Sequence, residues 1–193
     1  MTLKSLQQYG KGFQLKVLGS LLTDKTFLLN VRDVLHDHYF EWNIFASPMC
    51  KRVCIDFDGI LCRDFRPHED DDGETYLNTL QNMSLGQVRP QSKWPVDIIT
   101  GRLEKWREPT EQWLRKHKIN YGNLIMAPWN NISERFNANI AEWKADKFSQ
   151  SNKSLYVESD LKQAMTIHIE SGKDVVHYNS GKLFTLGIGC LST

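Results

Sequence analysis

No stretch of this 193-residue sequence holds the roughly 18 consecutive apolar residues that crossing a bilayer needs, so no membrane partner is expected. The opening MTLKSLQQYGKGF lacks the apolar core of a secretory signal, which predicts a cytoplasmic protein (in the host's cytoplasm, were the chain phage-encoded). Charge of one sign is not in excess: 24 Lys and Arg stand against 23 Asp and Glu, a net charge of +1. A chain that neutralises many phosphates of duplex nucleic acid usually has a basic surplus, so nucleic acid is not the expected partner. Cysteine is scarce. Cys50, Cys54, Cys62 and Cys190 form no paired CxxC, which excludes the common zinc frameworks and reads as reduced thiols. What remains, 40% hydrophobic and 24% charged, is an ordinary globular composition.

Two segments of different character meet near residue 47. Phe13, Val17, Leu18, Leu21 and Leu22, then Phe27, Leu28, Val31, Val34 and Leu35, recur at helical spacing and predict an N-terminal helical hairpin within residues 1–47. Such a pair cannot bury both stripes alone, so it needs the rest of the chain or a protein partner. Ser47-Pro48 breaks the pattern. Residues 48–193 then alternate short apolar runs with helical stretches: strands at Arg52–Asp56, Val96–Thr100, Asn123–Met126, Ser154–Glu158 and Asp174–Tyr178, helices at Pro109–His117 and Leu161–Ser171. This predicts an α/β fold, a Rossmann-like parallel sheet of about five strands with flanking helices, whose strand C-termini share one ligand-binding edge. The stretch of about 61–94 is expected to be a small cap insertion.

The first strand ends in Asp56-Phe57-Asp58-Gly59. Alternation along an extended chain sends Asp56 and Asp58 to one side, where two carboxylates repel unless a cation lies between them; Mg²⁺ suits such hard oxygen ligands. The second strand ends in Thr100-Gly101-Arg102, a hydroxyl and free N–H groups suited to phosphoryl oxygens, with Arg102 placed to reach a substrate phosphate. Lys144 follows in AEWKADKF, with Lys147 as the alternative, and Glu158-Ser159-Asp160 closes the fourth strand. The acidic run EDDDGE (69–74) reads either as a solvated loop or as part of a cap that recruits a second cation, Asp72 being its nearest contributor. Trp106, Trp113, Trp129 and Trp143 read as packing residues.

In these four parts and their order the sequence resembles the haloacid dehalogenase (HAD) superfamily of phosphohydrolases, from about Arg52 to Tyr178. More narrowly it is similar to the phosphatase-like domain fused to phosphoribosyltransferases in some bacteria and phages. DFDGILC, EDDDGETYLN, ITGRLEKWREPTEQWLRKH and YVESDLKQA carry that likeness. The resemblance implies a Mg²⁺-dependent phosphatase acting on a small phosphorylated metabolite of the nucleotide or sugar phosphate class. Asp56 would be the nucleophile and metal ligand, and Asp58 the acid/base and metal ligand. Thr100 and Gly101 would hold phosphoryl oxygens, Lys144 would offset charge, and Glu158 and Asp160 would complete the metal shell. Glu158-Ser159-Asp160 replaces the usual acidic pair, which leaves a second reading: a catalytically weak phosphate-binding regulatory module. Residues 1–47, through YGKGFQLKVLGSLLTDKTFLLNVRDVLHDHYFE, resemble the start of the N-terminal domain of phage replicative helicases. No GKS or GKT follows, so this likeness implies at most a phage replication-associated interaction protein.

Overall fold

The computed structural model describes Phe45, residues 48–86, Val88, Pro90 and residues 93–185. The expected N-terminal hairpin and Cys190 lie outside the described residues. A 3-10 turn, Pro48–Arg52, leads into β1 (Val53–Ile55). Then come α1 (Glu74–Asn82), β2 (Val96–Leu103), α2 (Arg107–Lys116), β3 (Tyr121–Ala127), α3 (Ile132–Asn137) and α4 (Ile140–Gln150). The order ends with β4 (Leu155–Glu158), α5 (Leu161–Ser171), β5 (Asp174–His177) and β6 (Lys182–Phe184).

These strands form one sheet in the order β3-β2-β1-β4-β5-β6, parallel except for β6, which pairs antiparallel with β5. The fold is therefore α/β with a mostly parallel, doubly wound sheet. It has six strands where the apolar runs marked about five, because Lys-Leu-Phe at the edge is too short to stand out. The central strand β1 is buried along its whole length, as an apolar run covered on both faces must be. Side chains alternate across it: Val53 and Ile55 join Ile98, Trp113, Leu114, Tyr76 and Leu80 on one face. Cys54 joins Ile99, Ala145, Phe148, Tyr156, Ala164 and Ile167 on the other.

The helices begin where short polar side chains can satisfy free N–H groups. Asn131, Asn139 and Asp160 cap α3, α4 and α5 by accepting from the N–H of Glu134, Glu142 and Gln163. Helix α5 stops at Gly172, whose φ of 64° suits the left-handed cap. Helix α1, within the stretch expected as a cap, buries Tyr76 and Leu80 in the sheet's own core, and just beyond it Met83 O accepts a 2.8 Å hydrogen bond from Trp113 Nε1. The loop before it, Arg63–Asp72, reaches the strand C-termini: Asp72 bonds Lys105, Trp106 and the Ile132 N–H, which follow β2 and β3. No helix among the described residues is long and apolar enough to cross a membrane.

Candidate active site at the C-terminal edge of the sheet

Asp56 leaves β1 at the middle of the sheet, its N–H held by Val157 O at 2.9 Å. From α4, Lys144 reaches across to it. The ammonium lies 2.9 Å from Asp56 Oδ2 and 2.8 Å from Glu158 Oε2, and Lys144 is only 2% exposed. Helix phase explains the reach. Ala141, Lys144, Ala145 and Phe148 form the buried side of α4, whereas Lys147 lies off it and pairs with Asp146 at the surface. Burial and the charge of Glu158 push the Asp56 carboxyl well above the ordinary range, and Lys144 opposes them. Burial works against the Lys144 ammonium, but the carboxylates of Asp56 and Glu158 outweigh it and keep that cation charged. Two carboxyl groups thus share one ammonium.

Glu158 is completely buried, and its Oε1 accepts from the N–H groups of Ser159 (2.9 Å) and Asp160 (3.1 Å). The turn that carries it is braced from β5: His177 Nε2 and Asn179 Nδ2 both lie 3.0 Å from Ser159 O. Thr100 is buried in the adjoining strand, its hydroxyl oxygen accepting from the Arg102 N–H at 3.2 Å. Between Thr100 and Leu103 the pairing of β2 with β3 shifts register, and Gly101 is half-exposed there.

Other expected site residues are engaged by partners of their own. Asp58 pairs with Arg102 and Cys62. Its Oδ2 accepts from Arg102 Nε (3.0 Å) and its Oδ1 from Arg102 Nη2 (2.6 Å) and Cys62 Sγ (3.3 Å). Arg102, expected at a substrate phosphate, is 1% exposed, and its guanidinium lies 3.7 Å from the centre of the Phe57 ring and 5.5 Å from that of Phe65. Asp160 Oδ1 caps α5 at 2.8 Å from Gln163 N. The turn that separates Asp56 from Asp58 is set by Gly59, at φ 76° and packed so closely on Ser159 that a Cβ there would fall 2.4 Å from the Ser159 Cβ.

Asp64 lies against the Asp58 turn without any motif to announce it, its Oδ1 3.1 Å from where a Cβ on Gly59 would stand. Its carboxyl is raised by partial burial and then by the charges of Asp58, Glu158 and Asp160. The acidic run is neither free in water nor gathered on one point. Glu69 pairs with Arg63, Asp70 with Arg135, and Asp72 with Lys105, while Asp71 accepts from the N–H groups of Gly73 and Tyr76 at the start of α1. Trp113 is buried in the core, Trp106 donates to Asp72, and Trp129 packs on Trp143.

Among the described residues no group of three or more His, Cys, Asp and Glu side chains is placed to hold a metal ion by itself. Mg²⁺ asks less of a protein, commonly one or two carboxylates with water and phosphate oxygens for the rest. Asp56 and Glu158, two carboxyl groups convergent on one point, fit that requirement. No family model matches the chain, and no curated protein or solved structure is found to be similar to it.

Proposed function

We propose that the chain is a Mg²⁺-dependent phosphohydrolase of the haloacid dehalogenase kind, acting on a small phosphorylated metabolite through an aspartyl-phosphate on Asp56. The observation that supports this reading is Lys144 holding Asp56 and Glu158 together at the end of the central strand. A buried, desolvated carboxylate beside a fixed cation is a suitable nucleophile for phosphorus, because the cation offsets the charge that crowds the site as the phosphoryl group arrives. Asp56 and Glu158 are the residues that would hold Mg²⁺, which when bound supplies positive charge for the phosphoryl oxygens. Asp56 attacks phosphorus, Thr100 and the Gly101 N–H orient the phosphoryl oxygens, and Asp58 takes the proton of the water that frees Asp56 again.

One observation favours a second reading, a module that binds phosphate with little turnover: both oxygens of Asp58 are engaged by Arg102. Release of phosphate from p-nitrophenyl phosphate separates the two. The phosphohydrolase releases it with Mg²⁺, and loses that activity in Asp56→Asn and on chelation. A binding module takes up inorganic phosphate and shows no release above the Asp56→Asn background.

A further inference from the structure

Helix α5 buries one face, through Ala164 and Ile167, in the core beneath it. Leu161, Met165 and Ile169, spaced four apart, are 44%, 44% and 68% exposed, and they are three of the four large hydrophobic side chains exposed among the described residues. At 3.6 residues per turn they make one stripe along the helix, and His168 lies between that stripe and the buried face. The His168 ring is centred 6.0 Å from that of Phe184 in β6. Strand β6 therefore borders α5 on the side that carries the stripe. Chain direction matters as well. Helix α5 descends from the C-terminal edge of the sheet to the start of β5, and β6, antiparallel to β5, descends with it: Lys182 pairs with His177, then Phe184 with Val175. Thr185 thus emerges at the foot of α5, where Ile169 ends the stripe. From there the sequence reads Leu186-Gly187-Ile188-Gly189-Cys190-Leu191-Ser192-Thr193, half of it apolar and none of it charged.

We propose that residues 186–193 double back after β6 and lie along this stripe as an intramolecular strap on α5. Thr185-Leu186-Gly187-Ile188 has glycine in third place, where a type II turn needs a positive φ, so the reversal falls there. Beyond it the two periods keep step: alternate residues of an extended chain advance about 6.6 Å, and every fourth residue of a helix about 6.0 Å. Ile188 then covers Ile169, Cys190 covers Met165, and Ser192 reaches Leu161. The apolar stripes of residues 13–35 are the rival occupant within the chain. They join the described fold through Phe45, which is buried with Cys50 and Val53 on the opposite face of the sheet, whereas Thr185 starts beside the stripe.

Cys190 is a reporter already in place, because Cys50, Cys54 and Cys62 are buried. The test compares two variants of the full chain, Met165→Cys in the stripe and Glu170→Cys on the polar side of α5. Both positions are exposed, so neither substitution disturbs the core. Each variant is oxidised with diamide, and the disulfides are mapped by mass spectrometry of the unreduced peptides. Met165→Cys is expected to close an intrachain disulfide with Cys190 at least about tenfold faster than Glu170→Cys, since cysteines more than about 7 Å apart at Cα need backbone movement to bridge. Equal rates at the two positions overturn the proposal. A disulfide between the Met165→Cys positions of two chains overturns it in favour of a second copy. A Met165→Cys thiol that stays reduced overturns it as well: shielded from maleimide, it is covered by another segment, and open to maleimide, by none.

Discussion

Lys144 lies 88 positions from Asp56 in the chain, yet its ammonium is 2.9 Å from the carboxylate, buried with it. Removing the cation would leave Asp56 and Glu158 as two buried carboxylates facing each other. Lys144→Met is expected to lower stability by about 3–5 kcal/mol in urea unfolding. Lys147→Met, at the surface of the same helix, should change it by under about 0.5 kcal/mol. Equal effects of the two substitutions would show that the buried bridge does not stabilise the fold.

Gly59 is expected to tolerate no side chain. A Cβ at that position meets Ser159 at 2.4 Å on a backbone already at φ 76°. Relief would need the Asp58 turn and the Glu158 turn to move apart. Gly59→Ala should cost about 4 kcal/mol or more. Thermal unfolding close to that of wild type would disprove the close approach.

Asp72 ties the loop before α1 to the ends of β2 and β3. It accepts from Lys105 at 2.6 Å, Trp106 Nε1 at 2.9 Å and the Ile132 N–H at 3.2 Å, at φ 58°. Asp72→Ala removes all three partners and puts alanine in the left-handed region, at a cost of about 1–3 kcal/mol. Asp72→Asn keeps an acceptor and a residue that tolerates the conformation, so its loss should be smaller. Limited proteolysis within 63–73 reads the difference, Asp72→Ala being cut fastest.

The same loop should loosen in acid. The Arg63 guanidinium, and then the Arg66 N–H, hold Glu69 at about 2, below its ordinary 4.5. A depressed carboxyl pKa adds stability that is complete above the unfolded value, so it is present at pH above 4.5 and is lost as pH falls towards about 2. Proteolytic cutting at 63–73 is expected to rise across that window in wild type. In Glu69→Gln the cutting should already be fast at neutral pH and change little with acid.

Much of the architecture is legible in local pattern. β1 shows as an apolar run because both its faces are covered, and α5 begins and ends where Asp160 and Gly172 cap it, at the bounds its periodicity predicts. Apolar runs ending in Asp56 and Glu158 mark two strand ends on one edge of the sheet, whereas β2 continues past Thr100 to Leu103 through a shift of register. The choice of Lys144 over Lys147 was available too: Ala141, Ala145 and Phe148 form an apolar stripe that places Lys144 on the inner side of its helix.

By itself, then, the sequence determined the strand and helix alternation and the positions where acids end strands, because periods of 2 and 3.6 and short polar caps act between near neighbours in the chain. Tertiary structure decided the partners. Arg102 takes Asp58 from 44 residues away, Asp70 is held by Arg135 across 65, and Lys144 reaches Asp56 across 88. Burial raises the cost of an unpaired charge, so each buried acid is matched to whichever cation packing brings within reach, and that match has no signature along the chain.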